Sequence, residues 1–150
     1  MATDQSINPH ALPAMTHSYL ARAAESLCEA ITTTDVPTRY ACAHVAALRG
    51  AAALLAARAR PTPGRRPQRN AWVLLAQVAP ELGEWASFFA SGASKRAAAE
   101  AGSKRAVTPR EADDLVREAD RFLGLVETML GLAAHVPFEE QLPWRAGRSA

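Results

Sequence analysis

Several signatures that would assign this 150-residue chain to a known chemistry are missing. There is no Gly-rich phosphate loop, no G-x-S-x-G, no C-x-x-C and no H-E-x-x-H, which sets aside the common nucleotide-binding, serine-hydrolase, dithiol and zinc-protease arrangements. His10, His17 and His135 lie in or near the termini and share no ligand spacing with the cysteines, so neither a metal nor another cofactor is expected. Cysteine is scarce: Cys28 and Cys42 both fall in helical patterns beside apolar stripes, where buried free thiols are expected rather than a disulfide. Strand alternation and Asn-Gly hairpin signals are absent, which excludes a sheet-based fold. The opening MATDQSINPHALPA has neither a basic n-region nor an apolar h-region, so a cytoplasmic protein is the expectation. The run from Ala41 to Ala57 is interrupted by His44, Arg49 and Gly50 and falls short of the roughly 20 strongly apolar residues of a membrane span. The net charge is only +2, so a nucleic-acid reading has to rest on local clusters of basic residues.

What the chain does contain is helical periodicity over a composition that is 49% hydrophobic, enough for one domain with a core. The pattern predicts a flexible lead over residues 1–12, an all-α antiparallel bundle of four long helices over 13–135, and an extended tail over 136–150 whose Phe138, Leu142 and Trp144 are expected to strap across the bundle, or else to serve a partner. Thr16, Leu20, Ala24, Leu27 and Ile31 mark the first helix. The second begins at a cap on Thr34 or Asp35 with Pro37 in its first turn, and carries two apolar seams. One is Tyr40, His44, Ala47, Ala51 and Leu54; the other is Ala41, Val45, Leu48, Ala52 and Leu55. Two seams describe an inner helix touched by several neighbours.

Trp72, Leu75, Ala79, Leu82, Ala86 and Phe89 hold one register through Pro80, which predicts a bent third helix or two abutting ones. Beyond Gly92, Lys95, Arg96, Lys104 and Arg105 make a basic cluster on a helical extension that ends near Gly102. Thr108-Pro109-Arg110-Glu111 fits a capping box, and Ala112, Leu115, Ala119, Phe122, Val126, Met129 and Ala133 form the stripe of the fourth helix. Its outer face, with Asp113, Asp114, Arg117, Glu118, Asp120 and Arg121, reads as a solvated mixed-charge surface. The expected core is Leu20, Leu27, Leu48, Leu55, Trp72, Leu75, Leu82, Trp85, Phe89, Leu115, Phe122 and Val126.

Two features are candidates for function. The segment RARPTPGRRPQR, 58–69, has five arginines and no acid; Arg58, Arg60, Arg65, Arg66 and Arg69 can meet phosphates, or simply keep a loop solvated. Arg39 and His44 are the one pair with catalytic character, set against a plain alternative in which Arg39 pairs with Asp35 and His44 is a satisfied core histidine. Residues five apart on a helix are about 140° apart around its axis, so the pair converges only if the arginine curls back or a second subunit completes the site.

The reading RYACAHVAALRGAAALLAAR, followed by WVLLAQVAPELGEWASFFA and a capped last helix, resembles the HEPN domains, in particular a small actinobacterial branch, over residues 14–134. The resemblance implies a helical bundle, frequently a homodimer, and often a metal-independent ribonuclease that uses an Arg followed four to six residues later by a His. It makes Arg39 and His44 the catalytic expectation, with RNA as substrate or ligand. The alternative is a non-catalytic helical module that binds a protein partner.

Overall fold

The computed structural model describes residues 11–59, 63–64 and 70–141. They form α1 (Ala14–Thr32), α2 (Val36–Arg58), α3 (Ala71–Val78), a 3-10 turn (Pro80–Leu82), α4 (Gly83–Ser91), α5 (Ala93–Glu100), α6 (Pro109–Met129) and a short α7 (Phe138–Gln141). No strand occurs among the described residues, and the chain is all-helical. The expected bent or abutting third helix is instead a hairpin: α3 and α4 lie side by side across the 3-10 turn, with Trp72 stacked on Phe89, so the four-long-helix count does not hold. Ala79 leaves the helical region (φ −131°, ψ 77°) ahead of Pro80, whose ring and missing N–H interrupt the ladder.

Local chemistry places the helix starts. The Asp35 carboxylate accepts the Thr38 N–H at 3.1 Å and caps α2, and the Asn70 side-chain oxygen accepts the Trp72 and Val73 N–H groups at α3. At α6, Thr108 Oγ1 accepts the Glu111 N–H at 3.1 Å while the Glu111 carboxylate accepts the Thr108 N–H at 3.2 Å, completing the capping box.

Helices α1 and α2 are antiparallel, while α3 and α4 fold back on each other about the 3-10 turn, whose tip lies by the end of α2. The Thr16 hydroxyl at the start of α1 donates to the Ala53 carbonyl near the end of α2, at 2.9 Å, and Arg58 at the end of α2 pairs with Glu81 at 3.2 Å. Helices α2 and α6 run parallel and pack on one another, since Arg39 pairs with Asp113 near both starts and Gly50 meets Leu123 farther along both. Small side chains make this possible. A Cβ on Gly50 would stand 2.5 Å from Leu123 Cδ2 and 3.6 Å from Phe122 Cε2, so glycine is what lets α6 come in at that depth.

Helix α2 packs against α1, α3, α5 and α6. The seam Tyr40, His44, Ala47, Ala51 and Leu54 is buried throughout. The second buried seam is Ala43, Ala46, Gly50 and Ala53, on the opposite flank from the expected one. Ala41 is buried, but Val45, Leu48, Ala52 and Leu55 are only half-buried, because α1 closes over the alanine side. Among the described residues α2 alone would qualify by length and mean hydropathy as a membrane span, yet more than half of its apolar window is buried inside the fold, as in a core helix.

The aromatic core is contributed by α3, α4 and α6. Trp72 stacks on Phe89 with centroids 5.1 Å apart, and Phe89 meets Phe122 edge-on at 5.1 Å. Leu27, Trp72, Leu75, Leu82, Phe89, Leu115, Phe122 and Val126 are buried as expected, whereas Leu20, Leu48, Leu55 and Trp85 pack partly exposed against them. Both cysteines are free, but Cys28 is exposed and Cys42 half-buried, which corrects the expectation of buried thiols. Helix α6 ends at Gly131, whose φ of +76° turns the chain back toward its own helix, and the return segment reaches Phe138, which is buried. Leu142 and Trp144 lie outside the described residues.

Replacing Phe122 by Ala is expected to cost about 3–5 kcal/mol, and the partly exposed Trp85 less. Gly50→Val should cost about 1–3 kcal/mol by wedging α6 away. Urea unfolding of the three variants checks the order; a Trp85→Ala loss larger than that of Phe122→Ala would contradict this core.

Candidate functional site

Arg39 sits in the first turn of α2, where its guanidinium opposes the helix dipole and needs an external partner. Its Nη1 donates to Asp113 Oδ1 of α6 at 2.6 Å and its Nη2 donates to the Thr33 carbonyl at 2.9 Å. The expected Asp35 pairing is not formed, because that carboxylate is occupied by the Thr38 N–H and hydroxyl. The pair with Asp113 is 22% and 36% exposed and ties the start of α2 to the start of α6.

His44 lies one turn on and is 1% exposed. Its Nε2 is 2.8 Å from the Phe89 carbonyl; since a carbonyl only accepts, Nε2 carries the proton and Nδ1 is bare. Nδ1 is buried without a partner, a desolvation cost of about 1–3 kcal/mol. The ring meets Trp72 and Phe89 edge-on. Burial holds its pKa below the ordinary histidine value, and the bond to Phe89 only partly offsets this. No hydrogen bond or ion pair joins Arg39 to His44, and they line separate cavities. His44 does edge a groove of about 230 Å³ with Tyr40, Gly92 and Lys95. A Cβ on Gly92 would lie 2.7 Å from the Tyr40 hydroxyl, so glycine there admits the tyrosine.

Of the proposed phosphate-binding arginines, Arg58 pairs with Glu81, and Arg60, Arg65, Arg66 and Arg69 lie outside the described residues. In the second basic cluster the two members on α5 are paired. Lys95 pairs with Glu111, and Arg96 has Glu100 at 3.9 Å. Cys42 offers no nucleophile: burial, then the neighbouring Glu29, pushes its thiol up to about 11.

The feature that sequence reasoning missed lies between α1 and α6. Leu20, Ala24, Leu27 and Ile31 of α1, Leu123 of α6 and Phe138 of the returning segment enclose an apolar groove of about 460 Å³. At its polar side His135 Nε2 lies 2.6 Å from Asp120 Oδ1, and its Nδ1 meets Glu127 Oε1. Asp120 is 5% exposed, which corrects its assignment to a solvated face; its other oxygen accepts the Phe138 N–H at 3.3 Å. Burial works against the His135 cation, but hydrogen bonds to Glu127 and Asp120 and their negative charge outweigh it, and the pKa is raised. A signal existed in the sequence. Asp120 sits among the apolar positions Val116, Ala119 and Leu123, and Glu127, seven residues on, shares its face. Their partner, His135, comes from beyond the helix. Among the described residues no group of three metal-ligating side chains converges on a point.

A family model described as SAV_6107-like HEPN matches residues 30–127, from the end of α1 to the last turns of α6. No curated protein and no solved structure matches the chain.

The two histidines impose opposite pH dependences. His44 is depressed, so the unfolded chain takes up its proton first, and stability should rise with pH up to about 6.5. His135 is raised, so its contribution is fully present below about pH 6.5 and is lost as pH climbs through the folded value. Thermal melts from about pH 5 to about pH 9 should show a maximum, and His135→Gln should remove the alkaline decline. An alkaline decline unchanged in that variant would refute the assignment.

Proposed function

The chain belongs to the HEPN family, and on that premise we propose that it works as a non-catalytic helical interaction module that holds a protein partner in the groove between α1 and α6. The observation that carries this reading is the groove itself, about 460 Å³ of mainly apolar lining with charged groups confined to one side. The stripe from Leu20 to Ile31 runs about 16 Å along α1, the length of three turns of a bound helix. Asp120, Glu127 and a protonated His135 leave that side net negative. The occupant that fits is an amphipathic helix with an apolar face and a basic residue at its edge.

A second reading, an RNA-binding domain or metal-independent ribonuclease, is favoured by one observation: His44 edges the groove that also contains Tyr40 and Lys95. In that scheme His44 accepts the proton of a ribose 2′-hydroxyl, the oxygen attacks the adjacent phosphate, and Arg39 from the second subunit of a homodimer stabilises the developing charge. It requires that His44 turn its bare nitrogen toward RNA and that Arg39 leave Asp113. The first reading requires neither.

Both readings are decided by direct assay. A fluorescent amphipathic peptide bearing leucines at helical spacing and one lysine should bind, and Leu20→Glu together with Ile31→Glu should weaken it by about tenfold or more, while circular dichroism stays helical. Absent binding, or binding unchanged in the double variant, would defeat the module. Chelator-resistant RNA cleavage leaving cyclic 2′,3′-phosphate ends, and lost in Arg39→Gln, would instead establish the nuclease.

A further inference from the structure

We propose that residues 130–141 form a latch on the α1–α6 groove, fastened while His135 is an imidazolium and let go when the ring gives up a proton. The inference rests on the reading of that groove as the binding surface and names how access to it is regulated.

The geometry at His135 is self-consistent in one protonation state. Each ring nitrogen faces a carboxylate oxygen, Asp120 at Nε2 and Glu127 at Nδ1. Ionised carboxylates only accept, and a neutral imidazole has a single N–H. On deprotonation one of the two contacts becomes a lone pair against an anion. Asp120 is nearly fully buried, so the loss of its counter-charge leaves a desolvated carboxylate with little compensation.

The same two carboxylates also hold the backbone of the returning segment. Glu127 Oε1 accepts the His135 N–H and Asp120 Oδ2 accepts the Phe138 N–H, each at 3.3 Å. Titration of one ring therefore acts on four hydrogen bonds at once. At its start the segment is anchored by the buried Leu130 and by Leu132 packed on the core; beyond His135 it is held by the buried Phe138 ring and by an exposed pair of Arg117 with Glu139 at 2.7 Å, which is weak on its own. Phe138 is itself a wall of the groove, so its withdrawal widens the site.

Among the described residues, the groups around His135 include no competing cation. Asp120 and Glu127 face it from α6, and Gly124 offers only backbone, with a notional Cβ 4.0 Å from His135 Cε1. Across the groove α1 contributes Cys28 and Thr32, and on the segment itself Glu139 is engaged by Arg117. The raised pKa agrees with this surplus of negative charge and moves the release upward from the ordinary histidine value.

The test uses the full chain without any partner. The His135 ring is titrated by NMR from about pH 6 to about pH 9, and exchange of the Phe138 amide is followed over the same range, corrected for the intrinsic pH dependence of exchange. The expected result is that protection of the Phe138 amide falls by about tenfold or more as the ring deprotonates, with helix content unchanged. Glu127→Gln should lower the midpoint, and His135→Gln should leave the amide weakly protected at every pH. Protection that ignores the His135 titration, or a ring that titrates below its ordinary value, would overturn the latch. Adding the amphipathic peptide separates the two claims. Peptide binding with pH-independent protection sinks the latch and keeps the groove, while a titrating latch with no peptide binding keeps the latch and sinks the groove reading.

Discussion

The close approach of α2 and α6 at Gly50 is the constraint on which the rest of the structure depends. Packed helices are normally held about 8–10 Å apart by the side chains between them. Here α2 presents alanine along two flanks and glycine at the crossing, so Leu123 and Phe122 reach nearly to its backbone. Dispersion then operates at short range along a helix that has little apolar bulk of its own, and the bulk comes from Trp72, Phe89 and Phe122. The arrangement surrounds α2 and draws His44 into the interior with it.

That burial separates the fates of two histidines. His44 is enclosed by aromatic rings, with one nitrogen on a carbonyl and the other bare, a setting that favours the neutral ring. His135 is held between two carboxylates, a setting that favours the cation. Residue type is the same in both, and the difference is whether the low-dielectric surroundings supply opposite charge. Arg39 follows the same logic as His135: its charge is matched by Asp113, and the ion pair anchors the first turn of α2.

Patterns with a local cause were readable from the chain. The buried stripe from Trp72 to Phe89, the break at Pro80, the Asp35 cap, the capping box at Thr108 and the seam from Tyr40 to Leu54 all depend on residues within one or two helical turns. Membership of the HEPN family was legible too, since it lies in the order and character of these helices. Misplacements arose where a position's surroundings come from distant segments. Leu48 and Leu55 look like core residues on a helical wheel, yet α1 closes on the alanine flank instead. Asp120 looks like one more charge on a solvated helix until the chain turns at Gly131 and lays His135 and Phe138 over it.

The sequence by itself determined the helices, their starts and their breaks, because hydrophobic periodicity and capping act over a few residues. It determined as well that the second helix would be enclosed, because small side chains on two flanks have no use on a surface. Only the tertiary structure decided which polar groups meet: Arg39 with Asp113, His44 with Phe89, and His135 with Asp120 and Glu127. Electrostatic pairing falls off with separation in space and is indifferent to separation along the chain, so no local pattern could announce it.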